Sequence, residues 1–137
     1  MEKRYRIHVF GKPGCEKCAL LNKRIDGLLQ EEGWQEFEKI YHDVDTVEGL
    51  VAFAQAECLN PSRIPSFLIA EKDPDTGRWR YLPRLFRDDQ IALLGRTVLY
   101  TYQGLETDYS SAGKGLIPPN LIEQTMQLAL QRAAPPH

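Results

Sequence analysis

The chain has 137 residues, enough for one domain that buries a core without disulfide or metal staples. Its 17 lysines and arginines nearly balance 19 aspartates and glutamates, so nothing suggests a binder of nucleic-acid phosphates. No run approaches the ~20 consecutive apolar residues of a membrane span. The start, Met1-Glu2-Lys3-Arg4, lacks the apolar stretch of a secretory signal, so the expected location is cytoplasmic unless an export signal has been cut away.

Residues 5–10, Tyr-Arg-Ile-His-Val-Phe, read as a first strand, and residues 19–29 as a first helix. Between them lies Cys15-Glu16-Lys17-Cys18. Two cysteines separated by two residues at a helix start can close a disulfide. The unpaired N–H groups and the positive end of the helix dipole then face the first sulfur, which favours a thiolate over a thiol. Cys58 makes the cysteine count odd and a disulfide framework poor. In a reducing compartment such a pair is redox-active or metal-binding rather than structural.

Residues 37–44, rich in β-branched and aromatic types, form a second strand, and strand-helix-strand implies a parallel βαβ unit. Asp45-Thr46 offers an N-cap to a second helix, with Val47, Leu50, Val51 and Ala54 spaced for a buried face. Asn60-Pro61 stops it. In Ile64-Pro65-Ser66-Phe67-Leu68-Ile69-Ala70 a proline stands at the first position of an apolar strand, where its missing N–H is tolerated and a cis bond is one available conformation. Asp73 to Gly77 is a turn signal, and residues 78–82 should return antiparallel.

Residues 83–115 read as an insertion of roughly thirty residues, of the kind that is functional or disordered. Its regular alternation of apolar and charged residues favours order, with a short helix over 88–94, a strand over 97–102 and a loop over 110–115. Pro118-Pro119 opens a last helix bearing Leu121, Ile122, Thr125, Leu128 and Ala129 at helical spacing.

A strand leading into Cys-x-x-Cys at a helix start, followed some fifty residues later by Ile-Pro before an apolar strand, resembles the thioredoxin-like superfamily. The resemblance covers residues 4–82 and, in outline, the closing helix. It implies a single α/β domain with a central mixed sheet flanked by helices. Within the superfamily the chain is more similar to glutaredoxins, which also begin with this strand and commonly carry a lysine at the place of Lys12. Val9 stands where thioredoxins usually bury an aspartate. Glu16-Lys17 matches neither the Gly-Pro of thioredoxins nor the Pro-Tyr of glutaredoxins. The Gly-Gly-x-Asp signature for glutathione is missing, and Gly113-Lys114-Gly115 is at best a distant echo of it.

The implied activity is thiol–disulfide exchange, with Cys15 as nucleophile and Cys18 as the thiol that resolves the mixed disulfide. Lys12 and Lys17 add positive potential near the thiolate, and Glu16 opposes it. The resemblance makes Pro65 a cis-proline facing the disulfide and sets the backbone of Ile64 to pair with an extended substrate segment. The substrate is a protein or small-molecule disulfide, the expected reductant a dithiol in preference to glutathione, and no cofactor is implied. A Cys-x-x-Cys pair is also half of a zinc site, but Cys58, His8, His42 and His137 are scattered rather than spaced to complete one. The rival reading is a non-enzymatic module of the same fold, in which the insertion docks a partner and the cysteines sense redox state.

Overall fold

A computed structural model describes residues 3–56, 64–83, 102–107, 109 and 116–133. Alternation sets the first strand, β1 (Tyr5–Gly11), at the centre of the sheet. Tyr5, Ile7 and Val9 point to one face and are fully buried, while Arg6, His8 and Phe10 point to the other. A 14-residue helix, α1 (Glu16–Leu29), carries the chain across to β2 (Phe37–Asp43), which pairs with β1 in parallel as Tyr5↔Phe37 through Gly11↔Asp43.

β3 (Ser66–Lys72) lies on the other side of β1 and runs antiparallel, with Ile7↔Ile69 and Phe10↔Ser66 in register. Burial on both sides explains its near-continuous apolar sequence. The turn through Asp73 and Gly77 returns the chain as β4 (Trp79–Tyr81), antiparallel to β3 as expected. The sheet order is β2-β1-β3-β4, with a further strand, β5 (Gly104–Glu106), pairing with β3. Gly104 is required there, because a Cβ would sit 2.1 Å from the carbonyl oxygen of Phe67. The last helix, α3 (Pro119–Ala133), begins at the second proline of Pro118-Pro119.

Two cores result. One face of the sheet packs Tyr5, Ile7, Val9, Phe67 and Ile69 against Leu21 and Ile25 of α1 and Ile122, Met126 and Ala129 of α3. Arg24 of α1 ties that helix to the segment leading into α3 by donating to the Ile117 carbonyl at 2.7 Å. The opposite face packs Phe10 and Leu68 against α2 (Val47–Gln55) through Phe53 and Ala56.

The face of α2 differs from the one the spacing suggested. Val47, Leu50 and Val51 are 75%, 56% and 49% exposed and Ala54 is exposed, whereas Gly49 and Phe53 are buried. This helix is apolar almost all round, so periodicity does not choose between faces. Backbone proximity does: at Gly49 a Cβ would meet the Asp43 carbonyl oxygen at 1.8 Å, so the side lacking a side chain faces the sheet. Thr46 is the N-cap, its hydroxyl accepting the Gly49 N–H at 3.0 Å.

Of the stretch read as an insertion, β5 belongs to the sheet, and Tyr102 forms an isolated bridge with Pro83. The helix expected over 88–94, most of the strand expected over 97–102, the loop expected over 110–115, and Cys58 and His137 lie outside the described residues.

Candidate active site

β1 ends at Gly11, and a turn through Lys12, Pro13 and Gly14 delivers Cys15 to the start of α1. Cys15 is the N-cap residue. Its backbone is extended, with φ −93° and ψ 109°, and its Sγ accepts the Cys18 N–H at 3.1 Å. The sulfur therefore fills the place of the oxygen acceptor that usually satisfies a first-turn donor. Cys15 and Cys18 are joined as a disulfide with their Cα atoms 5.2 Å apart. Cys15 is partly exposed and Cys18 is 1% exposed, so a disulfide partner reaches only the first sulfur directly.

The register of β3 against β1 places Pro65, the residue before Ser66, at the end of the sheet where β1 gives way to the cysteine turn. The Ile64-Pro65 bond is cis. Pro65 is buried, and its carbonyl accepts the Thr107 N–H at 3.1 Å and the Thr107 hydroxyl. A central strand that leads into a paired Cys-x-x-Cys at a helix N-terminus, flanked by a parallel and an antiparallel neighbour with helices on both faces, completes the architecture. The chain has the thioredoxin-like fold.

No protein-family model matches the chain, and no curated protein matches it in sequence. Among solved structures of thioredoxin-like proteins it is similar to oxidised mitochondrial thioredoxin 3 from Saccharomyces cerevisiae, at 17% identity and a TM-score of 0.40, over 57% of this chain and 63% of that one. A thioredoxin from Thermus thermophilus matches at 15% identity and a TM-score of 0.45, over 96% of this chain and 78% of that one. The poxviral disulfide oxidoreductase G4 matches at 14% identity and a TM-score of 0.40, over 89% and 90% of the two chains.

Beside the cysteines the site is assembled from residues that the motif does not reveal. Val9 is fully buried, so the core behind the pair presents no carboxylate at that position. The Tyr41 hydroxyl lies against Gly11 instead: a Cβ on Gly11 would fall 2.6 Å from it and 3.0 Å from the Cys18 Cβ, so glycine makes room for the phenol next to the second cysteine. Burial, and then the charge of Asp43, raise the Tyr41 pKa.

Lys12 is exposed in the turn before Cys15, as is Glu16 in the first turn of α1. Lys17 is directed elsewhere, its Nζ standing 4.6 Å from the centre of the Tyr109 ring. The Tyr109 hydroxyl in turn donates to the Ile64 carbonyl. Tyr109 thus touches both halves of the site, the Cys-x-x-Cys turn and the residue before the cis-proline. Neither tyrosine carries a local sequence signal, because both contacts arise from long-range pairing.

His8 and His42 share the opposite face, with His8 Nδ1 and His42 Nε2 2.8 Å apart and the rings stacked. Tyr81 packs edge-on to His8 and Phe10 stacks on His42. Burial, reinforced by His42 and Arg6, lowers the His8 pKa to about 4, and burial lowers that of His42. Among the described residues no group of three or more His, Cys, Asp or Glu side chains is arranged to hold a metal, and no helix is long and apolar enough to cross a membrane.

Proposed function

We propose that the protein is a thiol–disulfide oxidoreductase in which Cys15 is the nucleophile and Cys18 the resolving thiol. The observation that carries this reading is the Cys15 sulfur at the N-cap of α1, accepting the Cys18 N–H and bonded to Cys18. In the reduced protein the same N–H and the positive helix end favour the Cys15 thiolate. That thiolate attacks one sulfur of a substrate disulfide. A Cys15–substrate S–S bond forms as the substrate S–S bond breaks, and the departing thiolate takes a proton from water. Cys18, deprotonated in its turn, attacks the Cys15 sulfur, closing the Cys15–Cys18 disulfide and releasing the second substrate thiolate. Two electrons pass from the pair to the substrate, and an external dithiol returns them.

In this reading Ile64 and Pro65 line the groove that receives an extended substrate segment, and Lys12 contributes exposed positive charge at its edge. The substrate is a disulfide in a protein or small molecule, and a reducing compartment such as the cytoplasm suits the cycle. Repeated reduction of a model disulfide under an excess of dithiol tests it. Wild-type turnover that is abolished in both Cys15→Ser and Cys18→Ser, with a mixed disulfide trapped only in Cys18→Ser, is the expected result. A single stoichiometric change of state with no turnover would favour the binding or redox-sensing module instead.

A further inference from the structure

An extended segment that adds to the backbone beside β3 draws its affinity from main-chain hydrogen bonds, in which the carbonyl of Ile64 is one available acceptor. In this structure that carbonyl already accepts a hydrogen bond from the Tyr109 hydroxyl. The ring is held from the other side by Lys17, the residue between Glu16 and Cys18, with Nζ 4.6 Å from its centre. Thr107, just beyond β5, bonds the Pro65 carbonyl through both its N–H and its hydroxyl, so with the Tyr109 bond three hydrogen bonds join these two residues to Ile64 and Pro65. Yet Tyr109 is 46% exposed, so its ring borders solvent into which the phenol can swing.

Resting on the thiol–disulfide reading above, we propose that Tyr109 is a specificity-determining gate. Its side chain stands in for substrate backbone at Ile64, and an extended peptide disulfide must displace it to pair there. A small disulfide that reaches only the Cys15 sulfur has no need of the Ile64 carbonyl. The protein therefore discriminates against peptide substrates unless their pairing, or a side chain that takes over the Lys17 contact, repays the lost interactions. Selection then favours substrates carrying an acidic group or an aromatic ring next to their cysteine, since these compete for Lys17.

The test uses the full chain and two mixed disulfides that share a nitrothiobenzoate leaving group, one on cysteamine and one on the cysteine of a short extended peptide. Single-turnover rates are measured for wild type, Tyr109→Phe and Tyr109→Ala. Tyr109→Phe keeps the ring over Lys17 and removes only the hydroxyl bond. The ratio of peptide to cysteamine rates should rise roughly three- to tenfold in it, the size of one net hydrogen bond, and further in Tyr109→Ala. An unchanged ratio, or a fall, overturns the gate, a fall meaning that Tyr109 holds the peptide rather than excludes it. Alkylation of Cys15 by a bulky and by a small maleimide supplies a readout without exchange. If neither mixed disulfide reacts with wild type but Tyr109→Ala raises the bulky-to-small ratio, the oxidoreductase reading falls and the cover over the site stands. If both disulfides react and no Tyr109 variant changes either ratio, the oxidoreductase reading stands and the gate falls.

Discussion

The Cys18 N–H points at the Cys15 sulfur from 3.1 Å, so the first cysteine of the pair caps the helix by accepting from the second. A helix that must satisfy its leading donors thereby holds one sulfur at its positive end and keeps the other one turn inside, 1% exposed. The two sulfurs are unequal in access as a result, and the helix terminus leads us to expect that the reduced thiols differ in ionisation too.

Cys15 should therefore be alkylated first. In reduced protein at neutral pH, peptide mapping after a brief exposure to iodoacetamide is expected to find the label on Cys15 at least about tenfold more often than on Cys18. Faster labelling of Cys18 would reverse the two roles.

The reductant should be a dithiol. Lys12 is exposed and offers glutathione a single screened charge, worth little in water, and the chain lacks the Gly-Gly-x-Asp contacts. A dithiol completes its exchange intramolecularly, at high effective concentration. Stopped-flow reduction at matched thiolate concentrations is expected to be faster with the dithiol and non-saturating with glutathione. A saturable glutathione reaction that disappears in Lys12→Ala would contradict this.

Acid should destabilise the fold before the carboxylates titrate fully. His8 ionises at about 4 in the folded protein and near 6.5 when unfolded, so between those values the unfolded chain binds a proton that the folded chain does not. Stability conferred by the neutral ring is thus present above about pH 6.5 and is lost as pH falls toward 4, by at most about 3 kcal/mol. The groups facing the His8 ring are His42, whose own pKa is lowered by burial, Arg6, Glu38 and Tyr81. Of these only Glu38 favours the protonated ring. Urea unfolding at pH 7 and pH 5 should show the loss, and a His8→Asn variant should flatten it. Equal stability of wild type at the two values would rule this coupling out.

The two faces of α2 should respond oppositely to substitution. Phe53→Ala removes a ring packed edge-to-face on Phe10 and is expected to cost roughly 3–5 kcal/mol. Val47→Ser and Leu50→Gln, on the exposed side, should stay within about 0.5 kcal/mol apart from small propensity effects. Chemical denaturation of the three variants distinguishes this orientation from the one that the apolar spacing suggested.

Much of this molecule is legible in its sequence where signals are local. The alternation from Tyr5 to Phe10, the Cys-x-x-Cys at a helix start and the proline opening an apolar strand each locate an element without reference to distant residues. The face of α2 was not legible, because Val47, Leu50 and Val51 are as apolar as Phe53 and the choice is made by the Asp43 carbonyl pressing on Gly49. β5 was missed for a related reason. Three residues, Gly104 to Glu106, have little strand character of their own and become a strand through pairing with β3. Tyr41 and Tyr109 join the site only once β2 and β5 are in register, so no motif in their neighbourhood announces them.

The strand that leads into the reactive turn is bonded along both of its edges, to β2 on one side and β3 on the other. Its amides sit among those expected to exchange last with solvent, at the cost of global rather than local opening. On the proposed function, electrons would enter and leave at Cys15 beside a strand that opens only with the rest of the sheet.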